Sequence, residues 1–180
     1  YSQFRTLEGI AIFSLVLEHH GYARLAIRKN SSNIWGLDIS EEDMHKPKYA
    51  LYTGTESAEE REIIRNIFNG DWKYVPSHLS EPLLAQSENN TLGDIVKVLM
   101  ITASGSEGIN LRNTRFVHIM EPYWHPVRSE QVIGRARRIC SHVQLPIELQ
   151  TVEVFMYLMI FSKNQIASEE ASALRRKDIS

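Results

Sequence analysis

The stretch Ile-Val-Lys-Val-Leu-Met-Ile-Thr, residues 95–102, decides the fold that this chain is predicted to adopt. It is almost continuously apolar, it is rich in β-branched side chains, and a turn follows it at once. Strands that helices cover on both faces have this composition, because neither face of such a strand meets water. Residues 95–102 are therefore predicted to form a central strand of a parallel sheet.

Further segments have the composition of strands, with apolar residues bounded by turn residues. They lie at 22–27, 48–52, 116–120 and 151–161, and residues 1–4 are predicted to close another short strand. The length and apolar character of residues 151–161 leave a buried helix open as an alternative.

Two segments show the spacing of amphipathic helices. Apolar residues recur at helical intervals over residues 7–20, and Gly21 is predicted to end that helix. In the second segment, Ser57 and Glu60 have the spacing of a capping box, and Asn69-Gly70 is the expected end. The buried stripe of this helix is predicted to consist of Ile63, Ile64, Ile67 and Phe68.

The alternation of strands and helices predicts an α/β fold with a parallel sheet and right-handed crossovers. In such sheets ligands collect at the carboxyl ends of the strands. Unusual residues follow three predicted strands at that edge: Thr53-Gly54-Thr55, residues 102–110 and residues 121–125.

Length and composition indicate one domain. The 180 residues are 43% hydrophobic, enough for one well-formed core. The formal charge of −2 gives no overall cationic field, so contact with nucleic acid would need a local patch. The single cysteine, Cys140, excludes an internal disulfide and indicates a reducing, intracellular setting. Neither a membrane span nor a signal peptide is predicted.

The predicted domain covers residues 1–161. The polar segment 28–48 is predicted to be a long loop or an insertion. Periodicity fades over residues 71–94, which are predicted to be a mobile insertion. Residues 162–180 are predicted to be a polar tail or the start of a further element.

The segment Pro-Val-Arg-Ser-Glu-Gln-Val-Ile-Gly-Arg-Ala-Arg-Arg-Ile-Cys, residues 126–140, is rich in arginine. If residues 127–140 form a helix, Gln131, Arg135 and Arg138 project from one face, whereas Arg137 points away from it. Such a face suits the recognition of phosphate. A solvated basic helix is the alternative that this segment alone leaves open.

The other side of this predicted helix carries apolar residues. Val127, Ile133 and Ile139 are predicted to anchor it to the core. Trp124 is predicted to pack beneath the helix or to border the adjacent cleft, and Cys140 to be a small packing residue. Trp35 and Trp72 are predicted to pack locally rather than to stack on bases.

The loop over residues 102–111 combines two glycines, three hydroxyl groups and one carboxamide. Glycines let a backbone approach a ligand, and small hydroxyl groups suit phosphate or sugar oxygens, although an ordinary Gly-rich turn remains an alternative. The chain contains neither Gly-x-x-x-x-Gly-Lys-[Ser/Thr] nor an Asp-Glu pair at the end of an apolar strand. A role with nucleoside triphosphate would therefore rest on the arginines, approaching across a cleft.

Two of these motifs together resemble a known family. Gln131-x-x-Gly134-Arg135-x-x-Arg138 resembles motif VI of superfamily 2 helicases and translocases, and residues 104–111 resemble motif V in its Swi/Snf-like form. Residues 1–4 are similar to motif IV. The amino-acid sequence of residues 102–146 most resembles that of helicase-like proteins of large DNA viruses.

Two further segments extend the resemblance. Tyr52-Thr53-Gly54-Thr55, followed by Glu59-Glu60-Arg61, resembles the segment in which a Gly-Ser/Thr turn caps a helix in that family. Residues 121–126, Glu-Pro-Tyr-Trp-His-Pro, stand where Swi/Snf-like proteins have an acidic residue followed by Trp-Asn-Pro.

The resemblance implies a RecA-like parallel sheet sandwiched by helices, the second lobe of an ATP-dependent helicase or translocase. By this implication Arg135, Arg138 and Gln131 act at the γ-phosphate, with one or both arginines as arginine fingers. Gly108, Asn110 and Gly134 match positions at the nucleotide. The positions implied to contact a nucleic-acid backbone are Ser2, Gln3, Thr53, Gly54, Thr102, Ala103 and Ser104.

The implied cofactors are ATP and Mg²⁺, with the metal held mainly by a first lobe that this chain lacks. The implied partners are that N-terminal RecA-like lobe and nucleic acid, with DNA favoured over RNA, and no membrane. The chain by itself is predicted to be inactive, and its location to be the cytoplasm, nucleus or virion. A non-catalytic nucleic-acid-binding module that retains the fold is the alternative.

Overall fold

The computed structural model describes residues 1–5, 9–105, 108–158 and 160–167. Three sequence-based predictions lie outside the described residues: the helix start at Leu7, the contribution of Ser106 and Glu107 to the Gly-rich loop, and the charged tail beyond residue 167.

Seven strands occur in the part of the chain that the structure describes. They are β1 (Ala23–Arg24), β2 (Ile27–Lys29), β3 (Trp35–Leu37), β4 (Lys48–Tyr52), β5 (Val96–Ile101), β6 (Phe116–Ile119) and β7 (Glu153–Met156). The first, fourth and fifth strands form a parallel sheet in the order β1-β4-β5. Strands β6 and β7 form a parallel pair, and β2 and β3 an antiparallel hairpin.

The described residues contain six α-helices and two short 3-10 helices. The α-helices are α1 (Ile10–His19), α2 (Glu41–Met44), α3 (Ala58–Asn69), α4 (Ser77–Leu84), α5 (Pro126–Ala136) and α6 (Lys163–Ile166). The 3-10 helices span Trp72–Tyr74 and Ile147–Leu149. The α/β fold class predicted from the sequence is confirmed, with parallel strands flanked by helices.

The amino-terminal residues join the two parallel sheets. Tyr1 donates its amino hydrogen to the His118 carbonyl (2.6 Å) and accepts from the Met120 amide (2.9 Å), the bonding pattern of a parallel ladder. On the other side, the Ser2 amide donates to the Ile101 carbonyl (3.1 Å). The strands therefore follow the order β1-β4-β5, residues 1–2, β6-β7, and β5 lies in the interior, as predicted.

The main hydrophobic core lies on one face of β4 and β5, beneath α3 and α4. Because side chains alternate along a strand, Ala50 and Tyr52 face this core while Tyr49 faces α1 on the other side. Ile63, Ile64 and Ile67 supply the apolar face of α3, as their spacing predicts. The Ser57 hydroxyl accepts from the Glu60 amide (3.1 Å) at the start of α3, and Gly70 ends it in the left-handed conformation.

Residues 71–94 are packed into the core, which disagrees with the expected mobility of this segment. That the segment is an insertion stays a prediction. This segment contains α4, and its Val75, Leu79 and Leu83 side chains are buried in the main core. Asn90, also buried, accepts from the amides of Ile95 and Val96 (3.0 and 2.7 Å) and so fixes the entry to β5. Pro76 and Pro82 interrupt the helical pattern in the sequence, but the helix nevertheless forms.

Residues 28–48 are likewise ordered rather than a long loop. They contain most of the β2–β3 hairpin and the whole of α2. The single strand predicted over residues 22–27 is instead the short strand β1 followed by the first residue of β2. Trp35 packs against the main core, as predicted. Its indole nitrogen donates to Glu59 (2.7 Å), which ties the hairpin to α3.

A buried lysine connects both of these segments to the sheet. The Lys48 ammonium group donates to the carbonyls of Met44 and Lys46 and to the Gln86 side chain (3.1 Å to Lys46, 2.8 Å to Gln86). Burial lowers the pKa of Lys48, with Asp43 opposing that effect. Three donors meet three acceptors, so this buried charge is fully hydrogen-bonded.

The last predicted strand is confirmed in type but is shorter than expected. Residues 151–161 contain β7 over Glu153–Met156, and the alternative of a buried helix is wrong. No helix within the described residues is long and apolar enough to cross a membrane.

We expect Leu83→Ala to lower the free energy of unfolding by about 2–5 kcal/mol, because the fully buried Leu83 side chain would leave a cavity. Leu92→Ala is the control, since Leu92 belongs to the same segment but is exposed. Urea unfolding followed by circular dichroism measures both. Equal, small effects of the two changes would contradict the assignment of residues 71–94 to the core.

Candidate functional site

The turns after β4 and β5 are hydrogen-bonded to each other at the carboxyl edge of the sheet. The Thr53 carbonyl oxygen accepts from the Thr102 hydroxyl (2.8 Å) and from the Ser104 hydroxyl (2.6 Å). Those two hydroxyl oxygens are 3.0 Å apart. Residues from two motifs that lie about fifty positions apart in the sequence therefore form one polar surface, as the topology of a parallel sheet predicts.

Two glycines permit this close contact. A Cβ atom at Gly105 would lie 2.0 Å from the Tyr52 carbonyl oxygen, so no side chain fits there. Gly54 has φ +88°, and a Cβ atom there would lie 2.7 Å from the Ser104 hydroxyl oxygen.

Glu56 holds the turn after β4 in shape. Its carboxylate accepts from the Thr53 amide (2.7 Å), the Thr53 hydroxyl (2.9 Å) and the Gly54 amide (3.1 Å). Burial acts to raise the pKa of Glu56, but the hydrogen bonds from Thr53 and Gly54 outweigh it, so the pKa lies below its ordinary value. The sequence signal for this residue was an acidic side chain directly after a Gly-Thr turn, which the motif comparison passed over.

A second carboxylate fixes the amino-terminal residues at the same edge. Glu121 accepts from the Ser2 hydroxyl (2.7 Å) and from the Gln3 amide (3.1 Å). The Gln3 side-chain amide also donates to the Glu121 backbone carbonyl (3.2 Å). Ser2 and Gln3 therefore join Thr53, Thr102 and Ser104 along the edge.

These predicted nucleic-acid contacts differ in exposure. Ser2, Thr53 and Thr102 are buried, and their hydroxyl groups bond within the protein, so these three stabilise the edge. Gly54 and Ser104 are exposed, and Gln3 and Ala103 are partly exposed. The exposed surface of the edge is therefore smaller than the predicted set of residues.

The Gly-rich loop meets the arginine helix at its other end. The Leu111 amide donates to the Arg135 carbonyl (3.3 Å), and the Asn113 amide donates to the Ser141 carbonyl (2.9 Å). Gly108 has φ +73° with open space beside it, and the Asn110 side chain is exposed. The structure thus brings the segment that follows Asn110 to the carboxyl end of α5.

Helix α5 presents a different set of residues from the predicted one. Its buried face consists of Ser129, Val132 and Ala136, and the last two pack on the β6–β7 pair. Val127 and Ile139, two of the three predicted anchors, are instead exposed, Ile139 by 96%. The third predicted anchor, Ile133, is partly buried against this cluster, as predicted.

The helix ends at Ala136, so the predicted alignment of Arg138 with Gln131 and Arg135 by helical spacing is wrong. The Ser141 hydroxyl lies 3.1 Å from the Ala136 carbonyl and 2.8 Å from the Arg138 carbonyl, which gives the last helical carbonyl a side-chain partner. Arg137 and Arg138 are both exposed beyond this end.

Arg135 is partly buried, unlike the exposed Arg137 and Arg138. It lines a cavity of about 320 Å³ together with Leu111 and Ala136. Gln131 and Gly134 are exposed on the outer side of α5, and apart from the backbone of α5 itself no atom would lie within 4 Å of a side chain's Cβ at position 134. An approaching group can therefore reach the helix closely at Gly134.

The segment between β6 and α5 forms an exposed aromatic cluster. Trp124 is 82% exposed, so it does not pack beneath α5. Its ring lies 5.6 Å from the Tyr123 ring, and the Arg128 guanidinium lies 4.3 Å from the centre of Tyr123. Cys140 is exposed rather than a packing residue.

The residues of this site suit the phosphate part of a nucleotide better than a metal. Guanidinium groups donate to phosphate oxygens, and Gly108 and Gly134 leave room for a close approach. Within the described ranges, no three His, Cys, Asp or Glu side chains are grouped to hold a metal ion.

We expect Glu56→Gln to lower the free energy of unfolding at pH 7 by about 1–3 kcal/mol, because a charged acceptor of several hydrogen bonds is lost. The pKa of Glu56 is depressed in the folded state, so its contribution is present above the ordinary value of 4.5 and is lost as the pH falls through the folded value. The difference between wild type and variant in thermal unfolding should therefore narrow below about pH 4.5. Exposed Glu88→Gln is the control, and a difference independent of pH would contradict the assignment.

Comparison with known proteins gives a consistent result. Residues 26–140 match the family described as helicase conserved C-terminal domain. Two Acanthamoeba polyphaga mimivirus proteins whose names describe ATP-dependent RNA helicases are similar to this chain: one is 27% identical over 94% of the chain and 24% of its own length, the other 31% identical over 91% of the chain and 16% of its own length.

An African swine fever virus protein named as a homolog of the termination factor NPH-I is 28% identical over 99% of the chain and 26% of its own length. The chain thus spans between 16% and 26% of these three relatives. The resemblance to viral helicase-like proteins is confirmed. Since the family match covers more than half of the chain, the chain belongs to the helicase conserved C-terminal domain family and has its RecA-like fold.

Proposed function

We propose that this chain is the second RecA-like lobe of an ATP-dependent helicase or translocase that acts on nucleic acid. Family membership supports the proposal, and one contact carries it: the Leu111 amide bonds to the Arg135 carbonyl. This bond joins the loop that resembles motif V to the helix that resembles motif VI. In the proposed enzyme, these two segments form the half of a nucleotide site that faces a partner lobe.

The chain contributes positive charge to this site. Hydrolysis of ATP, with Mg²⁺ held mainly by the first lobe, supplies the free energy for movement along nucleic acid. Charge develops on the γ-phosphoryl oxygens during that reaction, and guanidinium groups stabilise it. Arg135 and Arg138 have this role in the proposal, Gln131 orients the same group, and Gly108, Asn110 and Gly134 allow the nucleotide to approach the backbone.

We expect Arg135→Ala and Arg138→Ala in the full-length enzyme each to lower nucleic-acid-stimulated ATPase activity on the order of a thousandfold, as for loss of an arginine finger. Arg137→Ala is the matched control, and its turnover number should stay within about twofold of wild type, because Arg137 is equally basic but is not one of the residues specified by the Gln131-x-x-Gly134-Arg135-x-x-Arg138 motif. The turnover number under saturating nucleic acid is the measurement. The isolated chain should show negligible ATPase activity.

Wild-type turnover in both arginine variants would contradict the proposal. If nucleic-acid affinity persisted in those variants and the full-length protein had no ATPase activity, the chain would instead be a non-catalytic binding module that retains the fold.

The carboxyl edge of the sheet is the proposed nucleic-acid surface. Its exposed residues Gln3, Gly54, Ala103 and Ser104 would contact the sugar-phosphate backbone, and the exposed Trp124 ring follows β6 at the same edge. Ser2, Thr53 and Thr102 support this surface from beneath. Backbone contacts of this kind position a strand without reading its sequence.

We expect Trp124→Ala to weaken binding of single-stranded nucleic acid by about 1–3 kcal/mol, because a stacking contact with a base would be lost. Its thermal stability should match wild type, since Trp124 is largely exposed. Tyr74→Ala removes another exposed aromatic ring, distant in sequence from this edge, and serves as the control. Fluorescence anisotropy measures both affinities, and equal affinities for wild type and Trp124→Ala would contradict this placement.

Fluorescence anisotropy also tests whether the protein prefers to bind DNA or RNA. The Swi/Snf-like motifs favour DNA, whereas the names of two relatives describe RNA helicases. Competition between DNA and RNA strands of one sequence decides the substrate, because the 2′-hydroxyl is the group that separates them.

A further inference from the structure

Asn69, the last residue of α3, holds the Gly-rich loop by both ends of its side-chain amide. Its Nδ2 donates to the Asn110 carbonyl (2.9 Å), and its Oδ1 accepts from the Arg112 amide (2.9 Å). The side chain is buried, with 5% of the residue exposed. One carboxamide therefore satisfies a carbonyl and an amide two residues apart, as a neighbouring strand would.

The segment held by Asn69 is the one that meets the arginine helix. Between Asn110 and Arg112, the Leu111 amide donates to the Arg135 carbonyl. The Arg112 guanidinium also pairs with Asp71 (2.6 Å), just beyond the end of α3. The loop thus lies between the carboxyl ends of α3 and α5, with hydrogen bonds to both.

The opposite end of α3 begins at the other proposed site. Its cap, Ser57, follows directly after Glu56, whose carboxylate orders the Thr53–Gly54 turn. The helix is twelve residues long and is anchored in the main core by its apolar face. It therefore separates the nucleic-acid edge from the Asn110–Arg112 segment by a fixed length.

We propose that Asn69 is a positioning residue, which sets the Asn110–Arg112 segment and through it Arg135 relative to the nucleic-acid edge. The catalytic consequence of this role rests on the proposed function, whereas the structural link stands on the contacts alone. Aspartate at position 69 would still accept a hydrogen bond from the Arg112 amide. It would, however, place a carboxylate oxygen against the Asn110 carbonyl oxygen, where the two acceptors repel each other. The loop would then lose its attachment to α3 on one side.

Amide hydrogen exchange in the whole chain tests the structural link. We expect Asn69→Asp to accelerate exchange of the Leu111 amide by about tenfold, although the acceptor of Leu111 is Arg135 and not Asn69. The amides of α3 should exchange as in wild type. Each protein is measured at the same interval below its own midpoint of thermal unfolding, which removes the effect of global stability.

Asn90→Asp is the matched control. Asn90 is equally buried, and its Nδ2 donates to the Phe68 and Val96 carbonyls (2.8 and 3.1 Å), so the change also removes donors at the end of α3. It should lower stability without accelerating exchange at Leu111. Asn69→Ser is used if Asn69→Asp does not fold. Unchanged exchange at Leu111 in the Asn69 variant, or equal acceleration in both variants, overturns the proposal.

The full-length enzyme separates this inference from the proposed function. Asn69→Asp should lower the turnover number of nucleic-acid-stimulated ATPase at least tenfold, with nucleic-acid affinity within twofold of wild type. Accelerated exchange at Leu111 without a loss of turnover supports the link and counts against the role of Arg135. An equal loss of affinity and turnover indicates general unfolding and counts against positioning.

Discussion

The structure depends on the backbone hydrogen bonds that Tyr1 and Ser2 make to strands on both sides. Among the described strands, β5 and β6 are not paired with each other, so without these bonds the parallel strands would form two separate sheets, β1-β4-β5 and β6-β7. With them, the carboxyl ends of all these strands share one edge, and the arginine helix packed on β6 and β7 is held beside the Gly-rich loop after β5. Glu121 reinforces the junction by accepting from the Ser2 hydroxyl and the Gln3 amide.

Polar side chains inside this fold serve mainly to connect elements. Glu56 orders the turn after β4, Asn90 fixes the entry to β5, and Lys48 ties two surface segments to the sheet. Each is largely removed from water and has its donors or acceptors satisfied, since an unpaired buried polar group would be costly. The same requirement applies to the predicted hydroxyl contacts. The buried hydroxyl groups of Ser2, Thr53 and Thr102 form hydrogen bonds within the protein, so only the exposed groups of the edge are free to contact a ligand.

Features set by local pattern could be predicted from the sequence, and features set by distant partners could not. The apolar run of β5, the Ser57 cap and the apolar stripe of α3 follow from composition and spacing, and all were found. The end of α5 was missed, because the partner of its last carbonyl is the Ser141 hydroxyl, five residues downstream. Leu79 and Leu83 have helical spacing, but Pro76 and Pro82 mask it. Val127 and Val132 are equally apolar, and only the position of β6 decides which of them is buried.

The close contact at Gly105 restricts which amino acids this position can accept during evolution. The Tyr52 carbonyl lies where any side chain at position 105 would begin, so even alanine would force the ends of β4 and β5 apart. Those two ends carry the bonds from Thr102 and Ser104 to Thr53. Sequence drift is therefore blocked at this position by backbone geometry, independently of any ligand. An invariant glycine here among relatives would report on the spacing of two strands, not on direct contact with nucleotide or nucleic acid.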